Sequence, residues 1–141
     1  MRRMIGLFIV LMICLMPGVL IVAETISECA PAHKEEPVWL PMEATAYCSG
    51  EITADGSRVR EGICAAKKEW IGLTAAVYLD ELRKDGTNGP GEFLGYYEIR
   101  DTGGNELIKN GQAIDIYNPS LDWCINFGRK NVWVVLMKGE G

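Results

Sequence analysis

From residue 42 onward the chain is cut into short strand-like runs, each closed by glycine, proline or an Asp-Gly pair. MEATAYC alternates, with Met42, Ala44, Ala46 and Cys48 on one face and Glu43, Thr45 and Tyr47 on the other. ICAA and LTAAVYL follow as apolar runs. KDGTNGPG reads as a glycine–proline turn ahead of FLGYYEIR, and QAIDIY and NVWVVLM complete the set. NVWVVLM is apolar enough to predict burial on both faces. Only PSLDWCINFG carries helix signals, with Ser120 as N-cap and Gly128 as stop. Six short strands expose many edges unless the sheet closes on itself. The expected class is therefore mainly β: a six-stranded barrel with one short helix, spanning residues 42–141.

The first 23 residues are of another kind. Arg2 and Arg3 precede the apolar run IGLFIVLMICLMPGVLIVA, and Ala23 closes it with Ile21 two positions before. This reads as a secretory signal or, uncleaved, as a membrane anchor. Pro17 and Gly18 favour the signal, and either reading puts the domain outside the cytoplasm. Residues 24–41, with three prolines and clustered charges, read as a linker. What remains can hold one modest core.

The chain carries a formal net charge of −5, and loses two positive charges with the leader. Such a domain does not suit nucleic acid, which requires clustered cations. A membrane would be met only through the N-terminal segment. Cys29, Cys48, Cys64 and Cys124 lie beyond the leader, and an even number in an exported domain permits disulfides. Four cysteines allow three full pairings, and sequence does not choose among them. A zinc site fails on spacing, because there is no Cys-x-x-Cys and the sole histidine, His33, sits in the linker. No metal or cofactor is called for.

Chemistry concentrates in DTGGNELIKNGQAIDIY, residues 101–117. Asp101 ends one apolar segment, the chain turns at Gly103 and Gly104, and Asp115 returns between Ile114 and Ile116 in what reads as a hairpin. Asp101 suits a turn cap, with the two glycines supplying positive φ. Asp115 is harder to explain structurally, since a strand-centre aspartate costs stability unless it is paired or used. Alternation buries Ile114 and Ile116 and turns Asp115, with Ala113 and Tyr117, toward a groove. A partly withdrawn carboxyl near a second carboxylate keeps its proton to higher pH and can act as a proton donor. The tripeptide Asp-Thr-Gly also occurs in aspartic proteases, but here it is single and followed by Gly104.

In this order, EATAYC, ITADG, ICAAKKEWIGLTAAVY, YEIRDTGG, AIDIY and FGRKNVWVVLM resemble the 3D (three-aspartate) domain of bacterial cell-wall proteins. The resemblance runs over residues 42–137. It implies a double-psi β-barrel related to the catalytic barrel of membrane-bound lytic transglycosylase A. The family's DTGG aspartate falls on Asp101, and that of its Ile-Asp-hydrophobic-aromatic strand falls on Asp115, the catalytic acid of the related enzymes. The third aspartate is replaced by Lys67, and the loop between the other two is longer than usual. Tyr47, Thr53 and Gly56 match the family's T-A-Y and T-A-x-G segments. With Gly103, Gly104 and Lys67 they are the substrate-binding residues the resemblance implies. The implied activity is cleavage of peptidoglycan glycan strands by a secreted or wall-associated monomer, leaving 1,6-anhydro-muramic ends. The alternative is a barrel that binds wall polysaccharide without cutting it.

Overall fold

A computed structural model of the protein describes residues 36–139. The leader, Cys29 and His33 lie outside the described residues, as does most of the linker. Six strands form β1 (Leu40–Tyr47), β2 (Ile63–Ala65), β3 (Leu73–Leu82), β4 (Asn88–Asp101), β5 (Ala113–Tyr117) and β6 (Lys130–Lys138). They close into one barrel in the order β1-β5-β2-β4-β3-β6. β1 with β5 and β2 with β4 run parallel, and the remaining neighbours are antiparallel. The mainly β, six-stranded barrel expected from the sequence is borne out. The single helix is corrected to two short ones, α1 (Glu106–Lys109) and α2 (Leu121–Phe127), beside one 3-10 turn at Lys68–Trp70. Among the described residues no helix is long and apolar enough to cross a membrane.

The interior is narrow because small residues face branched ones. Ala44, Ala66 and Ala75 share the core with Ile99, Ile114 and Ile116, the small–large interleaving that fills a small barrel. β1 begins at Leu40, so the end of the expected linker joins the sheet. The Trp39 ring sits edge-on to Tyr78 at 5.1 Å. β6 is not buried on both faces. Val132 and Val134 are buried, while the Trp133 indole between them reaches outward and donates to Asp80 Oδ1 at 2.7 Å.

The glycine–proline segment is shorter as a turn than its composition implies. Only residues 83–87 turn, held by Asp85 Oδ1, which accepts from Thr87 N at 3.0 Å and Thr87 Oγ1 at 2.6 Å. β4 already pairs with β3 at Asn88, and Pro90 lies opposite Asp80. β4 meets β2 only from Glu98 onward. Pro90 therefore falls on a half-paired stretch, where a missing N–H is tolerated.

α2 follows its sequence signals. Ser120 Oγ accepts from Trp123 N at 3.2 Å, and Gly128 ends the helix at φ 61°. α1 had weaker signals, yet Asn105 caps it by accepting from Leu107 N at 2.9 Å, and its single buried residue is Ile108.

The core predicts its own energetics. Ile99→Ala empties a fully buried site and lowers the unfolding free energy by about 2–5 kcal/mol in urea titration. Ile125→Ala, on the face of α2 that is 66% exposed, changes it by less than about 0.5 kcal/mol.

Candidate functional site

The strand order decides which side chains meet. The hairpin read from the sequence does not form, because β2 lies between β4 and β5. Ala65 of β2 is flanked by Asp115 on one side and Asp101 on the other. The β2–β4 register slips between Cys64 and Ala65: Cys64 faces Ile99, whereas Ala65 faces Asp101. This irregularity sets Asp101, rather than Arg100, beside Ala65, the kind of re-aiming that bulges provide. Arg100 turns instead to Glu98 at 2.6 Å and Asp55 at 3.1 Å.

The parallel neighbour of β5 supplies hydroxyls. Thr45 stands opposite Asp115 and Tyr47 opposite Tyr117. Thr45 Oγ1 donates to Asp115 Oδ1 at 3.0 Å, and Tyr47 OH donates to Asp101 Oδ2 at 3.2 Å. The Tyr47 and Tyr117 rings meet edge to face at 5.3 Å. Asp101 Oδ1 accepts from Ala54 N at 3.0 Å and from Thr102 N at 2.9 Å. Asp101 thereby ties the 51–58 loop to the end of β4. Among the described residues, Asp115 Oδ2 carries no hydrogen bond.

The electrostatics separate the two carboxyls. Burial holds the Asp115 pKa above the ordinary carboxyl range; the Thr45 hydrogen bond opposes the shift, and the Asp101 charge adds to it. The Tyr47 phenol is pushed up, first by burial and then by the charge and hydrogen bond of Asp101, with a smaller push from Asp115. It stays a donor at any physiological pH. Directly beneath, the Cys64 thiol is pushed up to about 12 by burial and then by Asp115, which makes it inert as a nucleophile.

The remaining sequence-derived residues fall in different places. Thr53 is buried, and its hydroxyl is spent on Asp55 Oδ1 at 2.6 Å and Ser57 O at 3.0 Å. Gly56 sits at φ 85° in that tight loop, where a side chain would be strained. These two shape the loop that presents Ala54 N to Asp101. Gly103 and Gly104 do not adopt positive φ. Gly103 is needed for clearance instead: a Cβ there would stand 2.7 Å from Ile108 Cδ1, whereas the space at Gly104 is open. Lys67 lies with its stem near Gly111, where an added Cβ would be 3.4 Å from Lys67 Cδ. Among the described residues it forms no ion pair with Asp101 or Asp115.

Thus Tyr47, Asp101 and Asp115 come together, while among the described residues Thr53, Gly56 and Lys67 form no hydrogen bond or ion pair with Asp115. Thr45 is the residue missing from the sequence-derived set, although it shares a face with Tyr47 by simple alternation. Two clefts, of about 610 and 360 Å³, are lined by neither aspartate, and both carboxyl residues are half-buried. Compared with protein-family models and with curated proteins, the chain matches none.

The raised Asp115 pKa has a thermodynamic sign. A carboxyl that holds its proton more tightly folded than unfolded costs stability as pH rises through the folded value, and costs nothing once both states are protonated. Asp115→Asn is therefore more stable than the parent at neutral pH, and the gain vanishes as pH falls below the unfolded carboxyl pKa of about 3.9. Urea unfolding at a series of pH values measures it.

Proposed function

We propose that the domain cleaves peptidoglycan glycan strands as a lytic transglycosylase, with Asp115 as its single acid–base group. What supports the reading is one observation: Asp115 is half-buried, its pKa is raised, and no cation is paired with it among the described residues. Thr45 engages Oδ1, so Oδ2 is the oxygen that would carry the proton. Protonated Asp115 donates to the glycosidic oxygen between N-acetylmuramic acid and N-acetylglucosamine. The carboxylate left behind takes the proton of the muramic C6 hydroxyl as that oxygen closes on C1. The ring becomes 1,6-anhydro, no water is consumed, and Asp115 regains its proton.

Asp101 positions Tyr47 and the 51–58 loop and raises the Asp115 pKa through its charge. A hydrolase with two working carboxyls would need the second one free to activate water, and both oxygens of Asp101 are engaged. A bound glycan would itself withdraw Asp115 further from water. The same reading makes the domain extracytoplasmic and monomeric.

A second reading is a barrel that binds the glycan without cutting it, because Lys67 stands where the resembled family has its third aspartate. Digestion of purified peptidoglycan separates the two. The enzyme yields muropeptides lighter by one water than muramidase products, and Asp115→Asn lowers the rate by at least about 100-fold. The rate also falls as pH rises through the raised Asp115 pKa, because the free enzyme must hold the proton. Co-sedimentation with the wall, without product at any pH, would support the binder.

A further inference from the structure

Cys48 and Cys124 are far apart in sequence and adjacent in space. β1 and β5 end in step, and Asn118 N donates to Tyr47 O at 2.9 Å, which sets Asn118 beside the residue that follows Tyr47. The α2 thiol, Cys124 Sγ, donates to Asn118 O at 3.5 Å. The Cys48 side chain lies near enough to Cys124 to raise the proton affinity of its thiol. Cys48 is half-exposed, Cys124 is buried, and among the described residues both are free thiols. Cys64 is excluded from any such pairing, being fully buried in the barrel wall opposite Ile116.

We infer that Cys48 and Cys124 are a disulfide-forming pair that locks α2 onto the end of β1. The half-exposed Cys48 meets the oxidant, a small disulfide or the disulfide of a thiol–disulfide oxidoreductase. Its thiolate attacks one sulfur of that disulfide, giving a mixed disulfide and releasing one thiol. Cys124 then loses its proton and attacks Cys48 Sγ, releasing the second thiol of the oxidant. Two electrons and two protons pass from the cysteine pair to the oxidant. The closed loop takes in β2, β3, β4 and β5, so the bond removes considerable freedom from the unfolded chain. It also fixes the backbone next to Tyr47, the donor to Asp101. Nothing in this pairing depends on glycan chemistry.

The test incubates the reduced full-length chain with excess oxidised glutathione, then alkylates, digests and weighs the peptides. The expected product is a peptide joining Cys48 to Cys124, two hydrogens lighter than its parts, with Cys64 alkylated only after denaturation. Oxidation raises the melting temperature by roughly 10 °C or more. Cys48→Ser and Cys124→Ser, each made singly, abolish that rise. Mixed glutathione adducts at either cysteine without the linked peptide, or linkage of Cys48 to Cys29, would overturn the pairing. An unchanged melting temperature in a chain shown to carry the bond would overturn the lock on α2.

Discussion

The barrel closes only because a three-residue strand fits between β4 and β5. β2 is Ile-Cys-Ala, and all three residues are buried. It pairs parallel with β4 and antiparallel with β5, so it satisfies backbone groups that would otherwise form two open edges. Its last residue, Ala65, is the point where the two halves of the site meet. A large side chain at Cys64 would oppose Ile99 and Ile116 in an interior already filled by branched residues. The small size of the ICAA segment and the placement of the aspartates are thus one constraint.

Upon that frame the two carboxyls take different work. Asp101 accepts three hydrogen bonds and serves as a brace, holding a loop, a strand end and a phenol. Asp115 accepts one, from Thr45, and otherwise faces desolvation and a like charge. The opposing influences on Asp115 come from separate strands, β1 for the hydroxyl and β4 for the charge. Its proton affinity is therefore set by how the sheet is ordered. The Tyr47 hydroxyl, kept protonated by its surroundings, donates to Asp101 and also feels the charge of Asp115.

Much of the architecture is local and was readable. The alternation of MEATAYC and the Ser120–Gly128 bracket of α2 are near-neighbour effects that formed as expected, whereas NVWVVLM formed its strand with only one face buried. What failed depended on distance or on rival local signals. Gly89 and Pro90 carry turn chemistry, yet β3 continues far enough to pair with them. Gly103 and Gly104 looked like a turn with positive φ. They instead lead into Asn105, whose capping signal was present beside Glu106 but brief. The insertion of β2 between β4 and β5 has no local signature, and neither does the register that puts Thr45 opposite Asp115. Asp115 itself was legible, because a strand-centre aspartate between two isoleucines conflicts with propensity, and such conflicts mark sites. Family features drawn from resemblance, including Thr53 and Gly56, proved to shape a loop around Asp101 and, among the described residues, form no hydrogen bond with Asp115.

The central claim is that Asp115 holds its proton above the ordinary carboxyl range for reasons that can be removed one at a time. Carboxyl-carbon NMR titration of Asp115 in the parent, Asp101→Asn and Thr45→Val proteins tests this most directly. The parent is predicted to titrate above the ordinary aspartate value of about 3.9. Asp101→Asn shifts it down by removing a like charge, and Thr45→Val shifts it up by removing a donor to the carboxylate. An Asp115 that titrates at or below the ordinary value, indifferent to both substitutions, would contradict the account.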